Sequence, residues 1–198
     1  HERLVGSEMC IRDRLCTTIE KMLQRGHSVD LIEAVSVRDN PDYPPQLAQH
    51  NFQCHTIELK ATKKTNFIGR YLYGLSFVRE STKLAKDLDV DLFFVQSVPT
   101  VSFTIRRLKK YGKPIIYNIH DVFPGSAFEL GVVKSKILDY MLKRIQRIGF
   151  KLADRIIVVS DDMRDVLVKE KTDPNKLFIV NTWYDSDSIR YIAPDVNT

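Results

Sequence analysis

The stretch Lys113–Glu129, KPIIYNIHDVFPGSAFE, decides the fold. Pro114 opens a short apolar run, Ile115-Ile116-Tyr117, that carries on to Ile119. A run of this length between breakers reads as a strand buried in a parallel sheet. It stops at once in His120-Asp121, followed by Pro124 and Gly125. Open α/β sheets bind their ligands just beyond the carboxyl ends of the strands. A titratable pair at that point is where chemistry is expected, and the rest of the chain reads as scaffold that places His120.

Working outward, the same logic finds further strands at 91–96, where LFFV is a compact apolar run, at 155–159 and at 176–180. Between them lie helical patterns at 67–88, 100–110 and 135–152, and one from Ser160 to about Lys169, with Ser160 as a capping residue and Asp161 and Asp162 in the first turn. In 67–88 the expected apolar stripe is Ile68, Tyr71, Leu72, Leu75 and Val78. In 135–152 it is Ile137, Leu138, Met141, Leu142, Ile145, Ile148 and Leu152, with Lys143, Arg144, Arg147 and Lys151 on the other side. Upstream, residues 1–9 fit no pattern. Ile11, Leu15, Ile19, Met22 and Leu23 then share a helix face that Gly26 would end. Strands follow at 29–35 and 54–59, separated by a loop containing Pro41, Pro44 and Pro45. Strands alternating with helices predict an α/β fold, a Rossmann-like parallel sheet with helices on both faces. Beyond Asn181 the chain turns polar and irregular, as a linker would.

Composition narrows the function. With 198 residues, 43% hydrophobic and 28% charged, the chain can bury one good core. No apolar run approaches the length of a membrane span. Cys10, Cys16 and Cys54 have no metal spacing, and a sparse, odd set fits a reducing compartment, which predicts a cytoplasmic location. The net charge of +5 is lopsided: residues 1–99 hold 13 basic and 13 acidic side chains, residues 100–198 hold 17 and 12. From Lys134 to Arg155 seven Lys/Arg face only Asp139 and Asp154. Such a face invites phosphates, whether of a pyrophosphate substrate or of anionic lipid. Because the apolar stripe of 135–152 is assigned to the sheet, only electrostatic attachment of that helix to a membrane is expected. Nucleic acid is disfavoured by the lack of a recognised motif or aromatic-basic interleaving. No GxGxxG or Walker loop occurs.

Parallel strands would present Gln96-Ser97, His120-Asp121, Ser160 and Asn181-Thr182 along one rim, a site suited to a polar or phosphorylated ligand. His120 has two readings: a general acid/base or phosphate contact, or a histidine hydrogen-bonded at a strand end. Asp121 either orients His120 or makes an Asx turn before Pro124. Glu129 either reaches the same loop or is solvated surface. Ser160 either donates to a phosphate at a helix N-terminus or simply caps the helix. His50, Cys54 and His55 do not have zinc spacing.

KPIIYNIHDVFPGSAFELG, then a basic helix, then LADRIIVVSDDMRDVLV and KLFIVNTWYD, together with QRGHSVDLI near the start, resembles the N-terminal domain of family-4 retaining glycosyltransferases. The likeness runs over residues 14–185 and points to the bacterial surface-polysaccharide branch that includes fucosamine and colanic-acid transferases. It implies one half of a two-domain GT-B fold, with His120 in the interdomain cleft as a catalytic residue. Asp121, Glu129, Ser160 and Asn181 are then expected to bind substrate, and Trp183 and Tyr184 to lead into the hinge. It further implies a nucleotide-sugar donor, a lipid-linked saccharide acceptor, no cofactor and no protein-bound metal. Work at the inner face of the cytoplasmic membrane is expected, with possible contact to anionic lipid. The family begins with a strand and a glycine-rich loop, which residues 1–13 do not supply. Residues 186–198 are expected to lead toward a donor-binding domain outside this chain, so the fragment alone should transfer no sugar. The competing readings are a non-catalytic ligand-binding or regulatory module of the same fold and, with a different residue set, a sugar-nucleotide epimerase.

Overall fold

The structure, a computed structural model, describes residues 7–35, 51–59, 67–96, 98, 100–121 and 136–181. In chain order these form α1 (Ser7–Gln24), β1 (Val29–Val35), β2 (Phe52–Glu58), α2 (Phe67–Asp87), β3 (Phe93–Gln96), α3 (Val101–Leu108), β4 (Ile115–Asn118), α4 (Lys136–Leu152), β5 (Arg155–Val158), α5 (Asp161–Lys169) and β6 (Leu177–Ile179). The described residues fall into two compact units. One carries α1 through Val29 with Asn51 and Phe52; the other carries Asp30–Val35 and everything described from Gln53 to Asn181.

In the first unit, α1 begins at Ser7, earlier than the periodicity from Ile11 indicates, and runs unbroken past residue 13. Ile19 and Leu23 are its buried residues among those described. Gly26 closes the helix at φ +86°, a left-handed conformation that costs glycine little.

The second unit is built on a four-stranded sheet in the order β3-β4-β5-β6, all neighbours parallel. β1 and β2 form a separate two-stranded sheet. The strands are buried as their apolar runs demand. Ile115, Tyr117 and Ile119 of the central strand and its exit, with Ile156 and Val158 of β5, are all within 1% of complete burial. Ile105 and Leu108 of α3, Phe150 of α4, Leu167 of α5 and Leu177 of β6 complete the core. β1 has the expected bounds, β2 starts two residues before the expected 54 and ends at Glu58, and β3 to β6 are each one or two residues shorter than expected.

At the amino-terminal edge of the sheet, Asp154 ties three elements together. Both its carboxylate oxygens accept from Lys109 Nζ at 2.7 Å, and Oδ2 also accepts from the Ile115 backbone N–H at 2.8 Å. The Asp154 N–H returns a bond to the Ile115 carbonyl at 2.9 Å. Partial desolvation alone would raise the Asp154 pKa. The bonds from Lys109 and Ile115 and the charges of Lys109 and Lys176 outweigh it, so the carboxyl is held below its ordinary value. Lys176 donates to the carbonyls of Lys151 and Ala153, satisfying orphan acceptors where α4 ends.

Two helix faces differ from the sequence expectation. In α2, Leu72 is 57% exposed while Val78, Ser81, Thr82 and Ala85 are buried. The buried hydroxyls of Ser81 and Thr82 are satisfied by the Val78 carbonyl one turn back, so they cost little inside. In α4, Ile137 and Met141 are 75% and 55% exposed, and Ile148 also faces solvent. The face turned inward holds Leu142, Gln146, Gly149 and Phe150 instead. The cause is a close approach: a Cβ on Gly149 would lie 2.7 Å from Ser102 Oγ, and one on Gly74 of α2 would lie 2.8 Å from Thr100 Cγ2. Small residues let α3 nestle against its two neighbours, and this clearance, not the apolar stripe, sets the rotation of α4 about its axis. The expectation that the stripe is used up by the sheet is therefore corrected.

Candidate functional site

The carboxyl ends of four parallel strands lie in one row, so Gln96, the Asn118–Asp121 exit of β4, Ser160 and Asn181 share one rim of the sheet. Neighbouring strands stand about 4.8 Å apart, so Ser160 sits one strand and Asn181 two strands along from His120. Asn118 and His120 are two residues apart on an extended backbone and therefore project to the same side. The register sets Gln96 of β3 directly opposite Asn118.

The result is a triangle of polar atoms. His120 Nε2 lies 3.1 Å from Asn118 Nδ2 and 3.1 Å from Gln96 Oε1, while Asn118 Nδ2 donates to Gln96 Oε1 at 3.3 Å. Each hydrogen bond needs one donor and one acceptor, and three atoms in a ring cannot alternate the two roles. Only two of the three contacts are satisfied at a time. When Nε2 is bare, Asn118 donates to it; when Nε2 carries a proton, it donates to Gln96. The imidazole thus has a partner for Nε2 in either protonation state, which suits a group that exchanges protons near neutrality. His120 is half-buried and Asn118 is buried, so the triangle is partly shielded from water.

The other expected residues differ in what the structure does with them. Asp121 is exposed. Ser160 Oγ accepts the Met163 N–H at 3.2 Å, the capping arrangement at the start of α5, and Asp161 and Asp162 fill the first turn. Two carboxylates there oppose a second anion at that helix end. Asn181 is exposed at the end of β6. Glu129, Ser97, Thr182, Trp183 and Tyr184 lie outside the described residues, as does His50. Cys54 and His55 have separate partners: Sγ donates to Glu33 Oε1 at 3.7 Å, and the imidazole pairs with Asp30 at 2.8 Å. Among the described residues no three His, Cys, Asp or Glu side chains converge as a metal would require. No described helix is long and apolar enough to cross a membrane.

Asn118 is the site residue the sequence reading missed. Its signal was present: a lone amide inside the run Ile115–Ile119, two residues before a histidine.

A probable glycosyltransferase, WbjE, of Pseudomonas aeruginosa is 32% identical over 66 residues, a third of this chain (33%) and 16% of WbjE. The structure of HepE of Anabaena in complex with UDP and glucose superposes with a TM-score of 0.52 at 14% identity, over 87% of this chain and 41% of HepE. The chain therefore spans less than half the length of either protein, and the shared fold is the α/β, Rossmann-like architecture of a GT-B glycosyltransferase. The sequence profile of glycosyltransferase family 4 matches residues 14–188, nearly the whole chain, and the chain belongs to that family.

Proposed function

We propose that this chain is the acceptor-side half of a retaining glycosyltransferase. Its reaction moves a hexosyl or aminosugar unit from a nucleotide-sugar to a lipid-linked glycan, in cell-surface polysaccharide synthesis of the fucosamine and colanic-acid kind. The work is done at the cytoplasmic face of the membrane. The observation that carries the reading is His120, held between Gln96 and Asn118 at the open end of a parallel sheet in a family-4 domain. The UDP and glucose bound by HepE support a nucleotide-sugar donor.

In this reading His120 faces the cleft, and its imidazole hydrogen-bonds the reacting sugar or a phosphate oxygen as charge develops. Gln96 and Asn118 fix the ring edge so that no reorganisation is needed when it does. Asp121 and Glu129 are read as further substrate contacts, and Ser160 and Asn181 extend the polar rim toward the hinge. The donor's nucleotide and pyrophosphate are held mainly by a second domain. Since positioning and charge stabilisation supply much of the rate, the present polypeptide by itself transfers no sugar at a useful rate.

The test is His120→Ala in the two-domain enzyme, assayed with nucleotide-sugar and lipid-linked acceptor. Turnover should fall by about 10²–10⁴-fold with the circular dichroism spectrum unchanged. Unchanged turnover would leave His120 a structural residue and sink the assignment.

A further inference from the structure

Alternation along the strands separates two faces of the four-stranded sheet. Ile115, Tyr117, Ile119, Ile156, Val158 and Leu177 project into the core, where Tyr117 stacks on Phe150 of α4 at 6.1 Å. The residues between them project to the other side. There the register sets Asn118 opposite Ile157, and Ile157 opposite Phe178. The ladder continues past the strand ends, from the Ile119 N–H to the Ile157 carbonyl at 2.8 Å and from the Val180 N–H to the Val158 carbonyl at 2.9 Å. His120, Val159 and Val180 therefore form a second row beside the first. An apolar strip thus starts at the His120 triangle and crosses β5 to β6, about 10 Å along the sheet. It is open to water: Phe178 is 47% and Val180 39% exposed, and Ile157 and Val159 are half-buried. Arg155 lies on the same face, one row toward the amino-terminal edge, with its guanidinium 5.8 Å from the centroid of the Phe178 ring.

We propose that this strip is the subsite for the hydrocarbon part of the acceptor, the segment of an isoprenoid chain nearest its phosphate. The inference rests on the lipid-linked acceptor of the proposed function and adds where the apolar part of that acceptor lies. The chemistry of the strip selects this occupant. Ile157, Val159, Phe178 and Val180 offer no hydrogen-bonding side-chain group, so a nucleobase or a further sugar laid on them would leave polar atoms unpaired. A hydrocarbon needs no such partner and gains by leaving water. A second copy packed face to face on the strip would cover the His120 triangle and shut the site that the strip adjoins. An isoprenoid chain leading away from the triangle across β5 and β6 leaves that site open.

The experiment is titration of this chain with farnesyl phosphate, below its critical micelle concentration, followed by heteronuclear NMR. Methyl phosphate serves as the probe without a tail. Farnesyl phosphate should bind about tenfold tighter or more, and intermolecular NOEs from its methyl groups should reach Ile157, Val159, Phe178 and Val180. Phe178→Ser with Val180→Ser should weaken its binding about tenfold or more, and so should Val180→Glu, which sets a carboxylate on the strip. Leu72→Ser, at a position of α2 that is 57% exposed, should change nothing, which separates the strip from general surface adhesion. Circular dichroism confirms that each variant is folded, and if the double change misfolds, Val180→Glu still decides. Equal affinity for the two probes, contacts that map elsewhere, or binding indifferent to the strip changes would overturn the proposal. A dimer seen by light scattering and dissociated by the Phe178/Val180 change would assign the strip to a second copy and overturn it as well. Binding is measured without sugar transfer, so its failure leaves the His120→Ala assay of the two-domain enzyme standing, and the converse holds.

Discussion

Gly149→Ala tests whether the seat between α3 and α4 is as tight as its geometry indicates. The added methyl would lie 2.7 Å from Ser102 Oγ, 3.3 Å from Ser102 Cβ and 3.4 Å from Ser102 Cα. The hydroxyl can rotate away, giving up only a long bond of 3.5 Å to the Gln146 carbonyl. The Cβ and backbone of Ser102 cannot, so α4 must back off by a few tenths of an ångström. Overpacking of this kind costs about 1–3 kcal/mol, whereas alanine in a helix interior recovers about 1 kcal/mol relative to glycine. The net expectation is a loss of about 0–2 kcal/mol, read by urea denaturation followed by circular dichroism. Its sign alone is a weak test, so the double-mutant cycle with Ser102→Ala carries the weight. Removing Oγ deletes the shortest contact, and the penalty of Gly149→Ala should shrink by about 0.5–1.5 kcal/mol in that background. If Gly149→Ala shifts stability equally with and without the Ser102 hydroxyl, the two helices are not seated there. The reason given for the outward rotation of α4 would then fall.

Four further outcomes follow from the geometry. Gln96→Leu removes an acceptor that favours protonated Nε2 and should lower the titration midpoint of His120. Asn118→Leu removes a donor that favours the bare nitrogen and should raise it; shifts of the same sign, read by heteronuclear NMR, would contradict the triangle. Asp154→Asn should destabilise by roughly 1 kcal/mol or less, since the Lys109 pair is more than a third exposed to solvent. Because the folded carboxyl titrates below its ordinary value, the benefit of Asp154 is present at neutral pH and lost as pH falls through the folded value. Denaturation curves of parent and variant should therefore begin to converge as pH falls below the ordinary carboxylate value of about 4 and meet below the folded value, and a gap that stays constant through acid would refute the assignment. Ser160→Ala should cost about 1 kcal/mol in the same assay and Ser160→Gly only a few tenths, whereas equal losses would deny the cap. Ile156→Ala, at a fully buried position of β5, should cost about 2–5 kcal/mol, and a loss under about 1 kcal/mol would contradict the core as described.

The strands were legible in the sequence because each is a short apolar run closed by a turn residue, and the alternation with helices then implies a parallel sheet. His120 was legible for the same reason: it follows such a run. The helix faces were read less well. Hydrophobic periodicity records how much a side chain gains by leaving water, but α2 and α4 are seated by clearance at Gly74 and Gly149, which no periodicity encodes. Leu72 and Ile137 consequently face outward, while Thr82 and Gln146 are enclosed. The rim shared by Gln96 and His120 was legible, but the bonds to the imidazole were not. Asn118 looked like part of a strand, and Gln96 reaches the imidazole only because Phe93 pairs with Ile115, a register fixed by three-dimensional packing. Ser160 was placed correctly at a helix start, and its observed bond is the capping one.

The strand order β3-β4-β5-β6 has a consequence for how the chain is made. After β3, each strand in this layer bonds to the one translated just before it, so β4, β5 and β6 find a mate already made when they leave the ribosome. Among the described residues one α-helix lies between successive strands of the layer, and connections this short in sequence keep the entropic barrier to each addition small. The layer can grow by accretion as the polypeptide emerges, with β4 and its histidine laid down on β3 before β5 exists to cover the other side.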